Sequence, residues 1–211
     1  MSVRVSESIV LRSYPFREAD SIVSFFTRDG GKLRGVARRA RRPNKNFGSG
    51  LERLSHVAVS YYRRENRELV NLNSCELIHS PFSGAPGFET SVAMDYLAEI
   101  SEQILPPEEV NERQFRLLLA VMEGLRGGTS VWAAATYFSL WTVRLAGFLP
   151  PMRVSEETRE IAEEMLATPV AALAPREWKR ETAADLRRAL ARLIEEHIER
   201  KLLTAPIFEA L

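Results

Sequence analysis

Two periodicities divide this chain, and the change between them at Pro81 limits the fold more than any single motif does. Up to residue 80, apolar residues recur at every second position, the period of a half-buried strand. Val3, Val5, Ile9 and Leu11 share one parity against Arg4, Ser6, Ser8 and Arg12. Tyr14-Pro15 and the polar run to Asp20 read as a turn, and Ile22 to Thr27 as a second strand rich in β-branched and aromatic residues. Asp29-Gly30-Gly31-Lys32 is a hairpin signal, because glycine reaches the positive φ values that tight turns use. Leu33 to Arg38 is a third strand, Val57, Val59 and Tyr61 alternate in a fourth, and Leu69 to Ile78 forms a fifth. Five short strands without a helical pattern between them predict a small closed barrel.

Beyond the turn-rich linker Ser80 to Gly87 the spacing becomes helical. Val92, Tyr96, Ile100 and Ile104 form one stripe, and Phe115, Leu118, Leu119, Met122 and Leu125 a second. Residues 131–143 carry no charge, which predicts a helix at the centre of a bundle, with Thr129 or Ser130 as its cap. A shorter helix starts at Ser155-Glu156-Glu157, and a long one carries Leu186, Ala189, Leu190, Leu193, Ile194, His197 and Ile198, with His197 read as a core histidine. The expected fold class is α+β: a five-stranded barrel over residues 1–80, then an all-α domain of roughly five helices over 81–211.

Charge separates the same two halves. Residues 1–80 hold 15 Lys and Arg against 8 Asp and Glu, while residues 81–211 hold 14 against 20. A basic module joined to an acidic one points to a polyanion as the partner of the first. The basic residues concentrate between Gly30 and Leu51, where Lys32, Arg34, Arg38, Arg39, Arg41, Arg42 and Lys45 occur with no acid among them. Guanidinium groups on a loop suit phosphates, each offering a planar fork of permanent donors. Tyr14, Phe16, Phe47, Tyr61 and Tyr62 are candidate base-stacking rings, and Phe47 stands out because it lies within the basic loop. One of Tyr61 and Tyr62 should face the core and the other solvent, since strand neighbours point opposite ways.

Chemistry is sparse by comparison. Cys75 is alone, which excludes a disulfide framework and fits a reduced, cytoplasmic compartment. His56, His79 and His197 are scattered and have no Cys at ligand spacing. No nucleophile elbow, phosphate-binding loop or metalloprotease helix motif is present. The sequence therefore predicts no catalytic residue, no metal and no cofactor. The apolar stretch from Val131 to Leu149 is broken by polar residues, so no membrane partner is expected.

The stretches SESIVLRSYPFREADSIVSFFTRDGGKLRGVARRARRP and LERLSHVAVSYYRRENRELVNLNSCELI resemble the amino-terminal OB-fold domain of the RecO family of bacterial DNA repair proteins. IEEHIERKLLTAPIFEAL is similar to that family's carboxy-terminal helix. The resemblance implies a nucleoid-associated recombination mediator that binds single- and double-stranded DNA and anneals strands coated with single-stranded-DNA-binding protein. With RecR, it would help load RecA. Lys32, Arg34, Arg38, Arg39, Arg41, Arg42, Lys45 and Phe47 are the expected DNA-binding residues. Many members carry a four-cysteine zinc module where this chain has LPPMRVSEETREIAEEML, which contains no Cys or His. An RNA-binding barrel and a protein-binding adaptor are the alternative readings.

Overall fold

A computed structural model of the chain describes residues 2–42, 46–65, 67–83, 86–151 and 153–211. Strands β1 (Arg4–Phe16), β2 (Asp20–Thr27), β3 (Gly31–Ala37), β4 (His56–Tyr62) and β5 (Val70–His79) close into a barrel in the order β1-β2-β3-β5-β4. All pairings are antiparallel except β3 with β5. This is the five-stranded topology of the OB-fold. Helices α1 (Phe88–Ile104), α2 (Glu112–Arg126), α3 (Val131–Leu145), α4 (Glu156–Ala167), α5 (Ala184–His197) and α6 (Ala205–Glu209) follow. The chain divides into two compact units: Met1–Pro86 with Ser101–Phe115, and Gly87–Ile100 with Arg116–Leu211.

Within the first unit the barrel interior is filled by Val10, Val23, Phe25, Leu33, Ala37, Phe47, Val57, Val59, Tyr61, Val70, Leu72 and Cys75. Gly35 lies where β3 meets β5, opposite Val70, and a Cβ there would fall 2.1 Å from a methyl of Leu72. Gly31 has φ +72°, and a Cβ on it would lie 2.3 Å from the carbonyl oxygen of Glu109. Both glycines are therefore needed, the first to close the barrel and the second to admit the segment 101–115. That segment covers part of the barrel's outer surface. Glu108 N–H donates to the Lys32 carbonyl at 2.9 Å, Ser24 Oγ donates to Glu102, and Phe26 meets Phe115 edge to face.

β1 departs from its expected reading twice. Tyr14 and Pro15 continue the strand to Phe16, and the turn is confined to residues 17–19. Its early parity is also reversed, for Val3 and Val5 are exposed while Ser6 and Ser8 are buried. The buried hydroxyls are satisfied, Ser8 by the Ser6 carbonyl and Ser6 by Asp29, so burial costs them little. Ile9 is buried on the outer side, where it pairs with Phe26 under the covering segment.

The second unit is organised on α3, whose residues from Val131 to Leu140 are all buried. Tyr96 of α1 stacks on Phe208 of α6 at 5.3 Å, and Trp132 of α3 packs against the same ring at 4.8 Å. Arg187 of α5 lies among them, 1% exposed. Its guanidinium donates to Glu209 at 2.6 Å, to the Thr182 carbonyl at 3.0 Å and to the Arg180 carbonyl at 2.6 Å, and lies 4.6 Å over the Trp132 ring. His197 is exposed and stacks on Phe148 at 4.0 Å, so the core role expected of it is not the one it has.

Hydroxyl and carboxylate groups link α4 to α5. Ser155 caps α4 by accepting from the Thr158 amide, and Asp185 accepts from the Ser155 amide at 2.8 Å and the Thr158 hydroxyl at 2.7 Å. Burial pushes the Asp185 carboxyl up, but these bonds and one from the Leu186 amide outweigh it and hold its pKa below the ordinary 3.8. A depressed carboxylate stabilises the fold above its unfolded pKa, and that contribution disappears as pH falls through the lower folded value. Asp185→Ala is expected to cost roughly 0.5–1 kcal/mol at neutral pH, low in the range because the site is wet. The penalty should vanish in urea denaturation repeated well below pH 3.8.

Candidate nucleic-acid interface

The open part of the barrel's outer face lies toward the β1–β2 turn. Strand register places Arg12 beside Ser24 and Arg34, and Tyr14 beside Ile22 and Val36. Tyr14 and Phe16 are both partly exposed, and each carries a guanidinium over its ring, Arg12 at 4.6 Å and Arg17 at 5.1 Å. The first residues of the β3–β4 loop follow directly from this face. Arg34, Arg38, Arg39, Arg41 and Arg42 are all exposed. The side chains of Arg34 and Arg38 make no hydrogen bond or ion pair with any described residue. Arg42 approaches Glu18 at 3.6 Å, with both side chains largely in solvent, a pairing worth little.

Two expected residues have other roles. Phe47 is 4% exposed and belongs to the barrel core, so neither ring face is open to a base. Its position is fixed by the turn that follows, in which Gly50 N–H donates to the Phe47 carbonyl at 2.9 Å. Lys32 is half-buried, and its ammonium donates to the Glu102 carbonyl at the end of α1. Burial lowers its pKa, with Glu102 opposing and Arg34 reinforcing the shift. Lys32 therefore ties strand to helix instead of facing a ligand. Lys45 lies outside the described residues. Tyr61 is the core member of its pair and Tyr62 the partly exposed one.

Arg12 and Arg17 belong to the surface but escaped the count of basic residues between Gly30 and Leu51. The signal that finds Arg12 is register, because the bulge between Val10 and Arg12 sets Arg12, Tyr14 and Phe16 on one face, while Arg17 lies in the turn that follows. The β4–β5 loop contributes no comparable field. It shapes a depression of ≈ 530 Å³ where Arg63, Arg64 and Arg67 are matched by Glu65, Glu68 and Glu108.

The donors needed for zinc do not occur where the module would fall. The residues between α3 and α5 offer hydroxyls and carboxylates but neither thiolate nor imidazole. Cys75 lies in the barrel, its thiol pushed up to about 12 by burial and donating to the Gly50 carbonyl at 3.4 Å. Among the described residues no three His, Cys, Asp or Glu converge on one point. No described helix is long and apolar enough to cross a membrane.

A closed five-stranded barrel with a cationic, aromatic outer face is the arrangement of OB-type barrels, a class whose faces suit single-stranded nucleic acid. Residues 1–81 match the family described as Recombination protein O N terminal, and residues 86–154 match Recombination protein O C terminal. The chain is 38% identical to the DNA repair protein RecO of Koribacter versatilis, with 99% of both chains aligned. It is 30% identical to RecO of Geobacter metallireducens and 29% identical to RecO of Anaeromyxobacter sp. strain K. Those two alignments cover 68% and 67% of this chain, and 58% and 56% of the relatives. The chain belongs to the RecO family of DNA repair and recombination proteins.

Proposed function

We propose that this protein binds single- and double-stranded DNA through the outer face of β1, β2 and β3 and the start of the β3–β4 loop. The observation that carries this reading is the run of exposed guanidiniums, Arg34, Arg38, Arg39, Arg41 and Arg42, beside two partly exposed rings, each with a guanidinium over it. Phosphates meet the arginines, and unpaired bases stack on Tyr14 and Phe16. Annealing requires only that repulsion between two polyanions be relieved while both are held, which a cationic surface achieves without catalysis. Following the family, the bound strand is then passed on with RecR, allowing RecA to load on DNA coated with single-stranded-DNA-binding protein.

Five arginines on a single strand predict a slope of log affinity against log salt of about −3 to −4. Fluorescence anisotropy of a labelled mixed-sequence oligomer over a range of salt measures it. Removing both rings, Tyr14→Ala with Phe16→Ala, should weaken single-strand binding by roughly 1–3 kcal/mol per stacked base and leave duplex binding nearly unchanged. Equal losses on both substrates would take the rings out of the site.

A further inference from the structure

The β1–β2 turn holds the basic loop by its backbone. Asp20, which pairs with Phe16 across that turn, accepts the Arg39 N–H on its carboxylate at 2.9 Å. Next to it, the Ala19 carbonyl accepts the Arg41 N–H at 3.0 Å. Between these two bonds the chain is forced into an uncommon shape, since Arg39 has φ 56°. A residue with a Cβ adopts that left-handed conformation at a cost of roughly 1–2 kcal/mol and stays there only when its surroundings hold it. Arg42 N–H then returns to the Arg39 carbonyl at 3.1 Å. The points from which three guanidiniums leave the backbone are thus set by the turn.

A carboxylate in this position is electrostatically unfavourable for an anion-binding surface, because it subtracts from the field a phosphate would feel. Glu18 supplies the contrast. Among the described residues its carboxylate meets the Arg42 guanidinium, in solvent, and accepts no backbone N–H. Two acids two residues apart therefore carry the same charge but make different bonds.

We propose that Asp20 is a positioning residue for phosphate binding, acting through the Arg39 N–H, and that Glu18 is a weak internal competitor for Arg42. The inference rests on the reading of this loop as the DNA site. If charge alone mattered, neutralising either acid would tighten binding. If Asp20 positions the loop, the acceptor matters and the charge does not.

The test uses the full chain, a labelled mixed-sequence single-stranded DNA oligomer and moderate salt. Glu18→Gln should bind about twofold tighter, the size of an exposed competing ion pair. Asp20→Asn keeps an acceptor oxygen and should stay within about twofold of the parent. Asp20→Ala removes the same charge, yet should bind roughly five- to tenfold more weakly, because an ordered loop has less conformational freedom left to lose on binding. Asp20→Glu keeps the charge but displaces the acceptor, and should also weaken binding, which covers the case of an alanine variant that folds poorly. Without DNA, the Arg39 amide should exchange its hydrogen faster in Asp20→Ala than in Asp20→Asn. Equal affinity and equal exchange for those two variants would overturn the proposal while leaving the DNA site intact. A parent chain that binds no DNA, or binds it without regard to the loop arginines, would remove the site and this inference together.

Discussion

Arg187→Met should lower the stability of the helical unit by about 3 kcal/mol or more, the largest effect expected of any single substitution in that unit. The loss has three sources. Glu209 forfeits its 2.6 Å partner, although Arg188 at 3.4 Å and partial exposure of the carboxylate soften this. The Thr182 and Arg180 carbonyls lose their donors next to the start of α5, and Trp132 loses the cation over its ring. Methionine fills much of the volume, so what remains is the polar cost and not a cavity. All three tryptophans, Trp132, Trp141 and Trp178, follow Arg116, so tryptophan emission excited apart from tyrosine reports in denaturant on this unit. Adding Glu209→Gln should recover part of the loss, because it removes the stranded charge. A single-variant loss under about 1 kcal/mol would mean that water already shares the guanidinium's bonds.

Arg187 also marks where sequence reading stopped. The long C-terminal helix was legible from its apolar spacing at Leu186, Leu190 and Ile194, all of them buried. Its largest fully buried side chain is nevertheless a charged one, one position off that stripe. Periodicity assigns faces by hydrophobicity and cannot anticipate a guanidinium whose donors are met by two carbonyls and a carboxylate distant in sequence. The short α6 escaped notice for a related reason. Five residues do not make a stripe, and the approach to α6 is held by Glu99, which accepts from the amides of Leu203 and of Thr204, the N-cap.

The barrel was more legible, because alternation and a glycine hairpin are local signals, and all five expected strands are present, β1 alone running on through its expected turn to Phe16. Errors arose where a partner outside the strand decided burial. Val5 is exposed and Ser6 buried, with the Ser6 hydroxyl donating to Asp29 on the β2–β3 turn, a partner no parity count includes. Phe47 reads as a ligand contact because it lies within the basic loop, yet its ring packs into the barrel core. Lys32 counted as one more positive charge until the end of α1 supplied a carbonyl for it. Arginine-rich composition located the surface. Which members are free depends on contacts made across 70 residues or more of chain.

Replacing Arg38, Arg39, Arg41 and Arg42 together by alanine should abolish most DNA affinity without unfolding the barrel, since no member of the set belongs to its core. Each single-strand phosphate contact contributes about −0.7 to the salt slope, so four lost contacts should flatten it by nearly 3, to about −1 or less. Counterion release at about 0.1 M salt then places the loss on the order of a hundred- to a thousand-fold. The deficit should shrink as salt rises, because the parent's advantage is itself ionic. It should also be alike for every sequence tested, phosphates being the same beneath all bases. Anisotropy titrations of parent and variant on two unrelated oligomers measure all three features. A loss confined to one oligomer would mean that the loop reads bases, and an unchanged slope would move the phosphate contacts off this loop. Strand annealing should fall with the affinity, since the same charges that hold one strand must screen it from the next.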